Sequence, residues 1–233
     1  MAADAIAELL ADLDRSPEPR AARFDGGGAL AGRVAVLPAA FNPPTIAHAH
    51  LLDLALAEPG LDATAALLST RNVDKGVDGA TLAQRIEMLL AMARSQPLAV
   101  LATNQARLAD QSRALEGSFP GCGFDFVVGY DTLVRLFDER YYTDMASELA
   151  PFFARHRLIA TNRAQHSVEE VERFVRDHPL AAEHGDRVLV RALDERPASY
   201  SSTASRNHAA SGAELPQVPP PVARYIRAHG LYQ

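Results

Sequence analysis

Thr45 and His48 stand three residues apart at the end of a turn of small residues and prolines, Pro38-Ala39-Ala40-Phe41-Asn42-Pro43-Pro44. A hydroxyl and an imidazole both suit phosphate oxygens, since each offers a hydrogen-bond donor. Far downstream, Ser201-Ser202-Thr203-Ala204-Ser205-Arg206 offers the same chemistry. Ser202 and Thr203 read as caps of a helix whose N–H groups face an anion, and Arg206 lies one turn on, on the same side. A guanidinium there grips phosphate oxygens with two donors. Asp131 follows Gly129 and Tyr130 after another apolar run. Each feature also has a plain structural reading: a capped helix with a surface histidine, an N-cap aspartate, a solvated arginine.

The elements that must position these groups alternate in type. Val34 to Leu37 reads as a buried strand and His48 to Ala57 as a helix with an apolar side. Ala63 to Leu68, Leu98 to Ala102, Phe124 to Val128, Arg157 to Ala160 and Val188 to Val190 read as further strands. Helices fall between them, two opened by the capping boxes Thr81–Gln84 and Ser167–Glu170. The pattern implies an α/β chain: an open, mostly parallel sheet with helices on both faces. In such sheets ligands gather at the carboxyl ends of the strands. Thr45, Asp131 and the loop Ser69 to Gly76 all fall there. Residues 1–32 read as an N-terminal appendage and linker, with a short helix over Ala5 to Leu13 and a flexible joint at Gly26-Gly27-Gly28; residues 33–233 form the main domain.

A length of 233 residues suits one such domain. The formal net charge of −6 argues against a nucleic-acid partner, and nothing approaches a membrane span. The one cysteine, Cys122, supports neither a disulfide nor a thiolate metal cage, and points to a reducing, cytoplasmic setting. The histidines form no convincing metal set. Of the 23 basic residues, Lys75 alone is a lysine. It is either a surface charge or a compact cation for phosphate.

Phe41-Asn42-Pro43-Pro44-Thr45-Ile46-Ala47-His48 resembles the first motif of the nucleotidylyltransferase superfamily, Gly-x-Phe-(Asp/Asn)-Pro-x-(His/Thr)-x-Gly-His. Ser201-Ser202-Thr203-x-x-Arg206 is similar to the second motif, Ser-Ser-Thr-x-x-Arg, and Gly129-Tyr130-Asp131 to its Gly-x-Asp. With the Val218-to-Tyr232 tail, the likeness spans roughly residues 33–233 and is closest to the nicotinamide/nicotinate mononucleotide adenylyltransferases. Ala39 and Ala47 depart from the pattern, standing where it has glycine.

The resemblance implies a Rossmann-like fold and adenylyl transfer from ATP, carried with Mg²⁺, to a pyridine mononucleotide, with pyrophosphate released. It implies that His48, Thr45 and Arg206 carry the chemistry. It also implies that Ala39, Ala40, Phe41, Asn42, Lys75, Gly129, Asp131, Ser202 and Thr203 surround the nucleotides. The family's ring-stacking Trp is absent, and Tyr142 stands at the matching spacing; Tyr141 and Tyr142 equally read as cover for the core edge. Arg85, in the family's Arg-x-x-Met, reads as a structural ion pair, and only Arg163 survives of an Arg-Pro-Gly after the fifth strand. No metal ligand is expected from the protein, and homo-oligomerisation is compatible with the sequence. Two other functions remain open: a nucleotidylyltransferase for another phosphorylated acceptor, and a non-catalytic nucleotide-binding module.

Overall fold

The computed structural model describes residues 3–71, 79–163, 166–194 and 198–233. Seven strands make one sheet in the order β1-β4-β3-β2-β5-β6-β7. They are β1 (Ala21–Arg23), β2 (Arg33–Pro38), β3 (Ala63–Ser69), β4 (Ala99–Thr103), β5 (Gly123–Gly129), β6 (Leu158–Thr161) and β7 (Val188–Arg191). All neighbours run parallel except β1, which pairs antiparallel with β4. The strand order reverses on either side of β2: Val36 pairs with Ala65 of β3 and with Phe126 of β5. That reversal opens a crevice at the carboxyl ends of the strands.

The sheet is apolar on both sides, as a parallel sheet between helices must be. Ala35 and Leu37 of β2 face one core layer, Val34 and Val36 the other. The first layer is covered by α1 (Ala3–Arg15), α2 (Ile46–Leu56) and α3 (Leu82–Ala93). The second is covered by α4 (Leu108–Ser118), α5 (Tyr130–Leu136), α6 (Met145–Arg155), α7 (Val168–Asp177) and α8 (Pro179–Glu183). Two more helices, α9 (Ser202–Ala210) and α10 (Pro220–Ala228), return to the first layer through Ala209, Val222, Ala223 and Ile226. Among the described residues no helix is long and apolar enough to cross a membrane.

Both expected capping boxes form. Thr81 and Gln84 exchange backbone-to-side-chain bonds of 3.2 and 2.9 Å at the start of α3, and Ser167 and Glu170 do the same for α7. The cap of α9 differs from expectation. Ser201, not Ser202 or Thr203, is in the extended conformation, and its hydroxyl accepts the Ala204 amide at 3.1 Å. Ser202 and Thr203 are therefore the first two helical residues.

The segment before β2 is joined to the sheet. Ile6, Leu10 and Leu13 of α1 are buried in the first core layer, and α1 packs on α3. The buried Asn104 side chain holds the chain from α1 to β1, donating to the carbonyls of Ser16 and Glu18 and accepting the Arg20 amide. The sequence shows no strand at Ala21–Arg23 because three residues between a proline-containing turn and a triple glycine carry no periodicity; pairing with β4 makes it one.

Asp125 locks the opposite, amino-terminal end of the central strands. It is fully buried in β5, and Arg33 of β2 and Arg157, just before β6, both donate to its carboxylate (Nε to Oδ2 at 2.9 and 2.8 Å). Burial alone would raise the carboxyl; the hydrogen bonds and charges of Arg33 and Arg157 outweigh it and hold the group below the usual carboxylate range. This stabilisation is present above pH about 4 and is lost as pH falls through the lowered native value. Asp125→Asn should lower stability by about 2–4 kcal/mol in urea unfolding at neutral pH, the cost of removing one partner of a largely buried pair. A midpoint unchanged from wild type would show that the cluster contributes nothing.

Candidate active site

The crevice at the strand reversal is a cleft of about 960 Å³. Ala39, Ala40, Phe41 and Asn42, directly after β2, form its floor with Ala47 and His48 of α2. Gly129 and Asp131 line it after β5, Asn162 and Arg163 after β6, and Ser202, Thr203 and Arg206 at the start of α9. Of the expected site residues, the cleft gathers all but two. Lys75 lies outside the described residues, and Thr45 is buried behind His48.

The histidine's geometry defines its proton. The Thr45 backbone N–H donates to His48 Nδ1 at 2.9 Å, and Thr45 Oγ1 lies 2.9 Å from the same nitrogen. A backbone amide is always a donor, so Nδ1 accepts and the neutral ring carries its hydrogen on Nε2. Burial, and then the nearby charge of Arg163, push the imidazole down to about 3. His48 is therefore a neutral Nε2–H donor at ordinary pH. The ring is held on one side by Phe41, whose centroid is 5.0 Å away. Phe41 has φ +45°, the left-handed region, which costs a bulky residue about 1–3 kcal/mol and persists only where packing enforces it. Its fully buried ring supplies that packing.

Two motifs far apart in the chain meet through hydrogen bonds. Arg206 Nη1 donates to the Asn42 carbonyl at 2.7 Å across 164 positions, and Ser202 Oγ donates to the Pro43 carbonyl at 2.8 Å. Gln217 ties both helix starts: its carbonyl accepts the Ile46 amide at 2.9 Å and its Oε1 the Ser201 amide at 3.3 Å. Arg206 Nη2 also bonds Thr203 Oγ1 at 3.2 Å, which orients the guanidinium. Tyr232 donates to Asn42 Oδ1 at 2.8 Å, and the Ala80 amide shares that oxygen at 3.3 Å. Neither alanine that replaces a motif glycine strains the backbone. Among the described non-glycine residues only Phe41 and Tyr232 have positive φ, so Ala39 and Ala47 stand in ordinary conformations.

Two arginines count for more than the sequence implies. Arg85 is buried and lines the cleft, and among the described residues no carboxylate pairs with it. The expectation of a structural ion pair is thus corrected: Arg85 Nε donates to the Ala80 carbonyl at 2.9 Å, and Nη1 reaches the Ala40 carbonyl at 3.5 Å. Burial, and to a lesser degree the charge of Arg206, pull its pKa down, while Tyr232 acts in the opposite direction. Two cations so placed gain from an anion between them. Arg163 packs over Gly129, where an added Cβ would lie 3.3 Å from its Cδ. Arg71, Arg107 and Arg135 bring the arginines among the described lining residues to six, against one carboxylate, Asp131; Arg71 is paired with Asp14, and Arg107 with Asp110 and Glu148. The chain is acidic overall, yet cations outnumber carboxylates among the described lining residues of its cleft. No sequence window shows this, because the six come from six different segments.

Asp131 lies in the first turn of α5, where Gly129 is the cap, so its exposed carboxylate faces the cleft rather than the helix end. Tyr142 lines the far wall. Its hydroxyl donates to the Leu136 carbonyl at 2.7 Å, burial pushes its pKa up to about 12, and the Arg107 guanidinium lies 5.6 Å from its ring centre. Among the described residues no three His, Cys, Asp or Glu side chains stand together to hold a metal ion.

A cation-lined crevice at a strand-order reversal, with a neutral donor on a helix start, suits a nucleoside polyphosphate; the class this layout defines is the α/β nucleotidyltransferases. The cytidylyltransferase-like family model matches residues 36–208; the chain belongs to this family and is an enzyme of the nucleotidyltransferase type. A Schizosaccharomyces pombe protein provisionally named a nicotinamide mononucleotide adenylyltransferase is 32% identical over 133 residues, 55% of this chain and 52% of that protein. The chain thus spans about half the length of that relative. A Desulfotalea psychrophila protein provisionally named a nicotinate-nucleotide adenylyltransferase is 28% identical over 86% of this chain and 99% of its own. The fold is shared with the Plasmodium falciparum nicotinic acid mononucleotide adenylyltransferase solved with NaAD: TM-score 0.65 and 13% identity, over 86% of this chain and 97% of that one.

The tautomer is open to measurement. Nitrogen-resolved NMR of His48 should show hydrogen on Nε2 and no titration between about pH 5 and 8. A resonance that titrates near the ordinary histidine value would contradict the buried, amide-bonded geometry.

Proposed function

We propose that this enzyme transfers the adenylyl group of ATP to the 5′-phosphate of a pyridine mononucleotide, nicotinamide or nicotinate, a step of NAD biosynthesis. The observation that carries this reading is the junction of the two motifs beside His48, where Arg206 bonds the Asn42 carbonyl and Ser202 the Pro43 carbonyl. The names of the relatives, divided between the two rings, support the acceptor class.

In the reaction a phosphate oxygen of the mononucleotide attacks the α-phosphorus of ATP, the bond to the β-phosphate bridging oxygen breaks, and pyrophosphate leaves. A phosphate monoester is already nucleophilic near neutral pH, so no general base is required. The enzyme's part is to position and to stabilise charge. His48 Nε2–H donates to the α-phosphate oxygens, whose charge grows in the transition state. Thr45 acts through His48: its amide fixes the tautomer, and its side chain stands behind the ring. Arg206 and Arg85 hold the β- and γ-phosphates and the departing pyrophosphate, with Ser202, Thr203 and, from the loop outside the described residues, Lys75. Ala39 to Asn42 lie along the phosphates. Gly129 and Asp131 face the nucleoside, and Tyr142 offers a ring face to the pyridine. Mg²⁺ would be carried by the ATP phosphates and would offset their charge. With one carboxylate among the described lining residues, the donor set suits a metal carried by phosphate oxygens.

Incubation with MgATP and each mononucleotide should release pyrophosphate and form a dinucleotide. ATP binding without pyrophosphate release from either would overturn the reading in favour of a binding module. His48→Ala should lower kcat by about 100-fold or more, the loss expected for one transition-state donor, with folding intact by circular dichroism. Arg206→Ala should raise the KM for ATP at least about tenfold, the loss of a charge-assisted phosphate contact; wild-type ATP kinetics would show that this arginine does not touch the triphosphate.

A further inference from the structure

The segment after α10 runs up against the wall of the cleft. Gly230, at φ +58°, closes α10 in a left-handed turn: its amide donates to the Arg227 carbonyl at 3.4 Å, and the Leu231 amide to the Ile226 carbonyl at 3.1 Å. The turn lays Leu231 on the first core layer and brings Tyr232 after it. Helix α10 itself packs on α3, the helix of Arg85. Tyr232 also has a left-handed backbone, φ +67°, which a side chain of its size keeps only where contacts hold it.

Those contacts converge on Asn42. The Ala80 amide donates to Asn42 Oδ1 at 3.3 Å, and an N–H needs an acceptor, so the Asn42 side chain has its oxygen on this side. An amide oxygen carries no hydrogen, so the Tyr232 hydroxyl is the donor in the second bond to it, at 2.8 Å and across 190 positions. Gly79 makes room for both groups: a Cβ there would lie 2.9 Å from Tyr232 Cε1 and 3.1 Å from Asn42 Oδ1. Burial raises the pKa of the Tyr232 hydroxyl and the charges of Arg85 and Arg206 offset this only in part, so the group stays a donor at ordinary pH. Asn42, Arg85 and Arg206 line the cleft, whereas Tyr232 lies behind Asn42. The Asn42 carbonyl accepts Arg206 Nη1 at 2.7 Å. Asn42 thus takes one bond from Tyr232 on its side chain and one from Arg206 on its main chain.

We infer that Tyr232 is a positioning residue for the phosphate-binding side of the cleft: its hydroxyl fixes Asn42, and Asn42 fixes the Arg206 guanidinium. This inference rests on the preceding reading, in which Arg206 holds the ATP phosphates. Tyr232 acts through Asn42 and not on the substrate. Loss of its hydroxyl frees the Asn42 side chain, loosens the loop after β2 and widens the range of positions open to Arg206. The effect therefore falls on ATP and spares the mononucleotide.

The test measures KM for ATP and for the mononucleotide in the full chain, together with circular dichroism. Tyr232→Phe keeps the ring beside Gly79 and removes only the hydroxyl. It should raise KM for ATP roughly five- to tenfold, the worth of one hydrogen bond, and change KM for the mononucleotide by less than about twofold. Tyr225→Phe removes another hydroxyl of the same segment, one that donates to Glu87, and should leave both KM values at the wild-type level. In an Arg206→Ala background, Tyr232→Phe should add less than about twofold, because its effect runs through that guanidinium. An unchanged KM for ATP in Tyr232→Phe, an equal rise in Tyr225→Phe or for the mononucleotide, or a full further loss in the Arg206→Ala background overturns the assignment while adenylyl transfer stands. A Tyr232→Phe chain that no longer folds overturns it too, in favour of a purely structural tyrosine. No dinucleotide from the wild type with either mononucleotide removes the parent reading, and this one with it.

Discussion

The hydrogen bond from Arg206 to the Asn42 carbonyl joins the two halves of the cleft, and most of the site's geometry depends on it. It forces the guanidinium of α9 against the loop after β2, beside the helix start that carries His48. The Ser202–Pro43 contact runs in parallel, and Gln217 bonds the starts of α2 and α9 together from behind. The loop's own shape is set by buried contacts. Phe41 takes up a left-handed conformation against its ring packing, and Asn42 is held by Tyr232 and the Ala80 amide. A preorganised wall of this kind avoids reorganisation when charge develops on a substrate, which is where enzymes gain most.

Electrostatics follow from the same architecture. Among the described residues no carboxylate pairs with the buried Arg85, and burial together with the charge of Arg206 lowers its pKa, so an anion placed beside the two would be stabilised. His48 contributes no charge. Held neutral by burial and by an amide at Nδ1, it supplies a directed donor whose state does not vary across ordinary pH. On the proposed reading the cleft divides its work between positive charge for phosphates and a neutral hydrogen bond for the oxygen beside the reacting phosphorus.

Rigidity comes from outside the cleft. Asp125 clamps the amino-terminal ends of β2, β5 and the approach to β6 through two arginines, while the carboxyl ends of those strands diverge into binding loops. On the other flank, α1 and β1 extend the sheet and cover α3, the helix that supplies Arg85. A segment with the composition of a linker thus buttresses a cleft arginine through packing.

Much of this was legible along the chain. Apolar runs of parallel-strand length, two capping boxes and the motif residues Thr45, His48, Ser202, Thr203 and Arg206 are local signals, because strand burial, helix capping and motif spacing are each decided within a few residues. Those signals specified the α/β class, the order of its main elements and the neighbourhood of the cleft. They did not reveal β1, whose three residues become a strand only by pairing with β4. They misjudged Arg85 as an ion pair and placed the α9 cap one residue late, since partners and cap dihedrals depend on where other segments pass. The sequence by itself determined which groups are present for phosphate chemistry. Only the tertiary structure decided the burial that keeps His48 neutral and the gathering of six arginines, because each depends on residues that are distant in the chain.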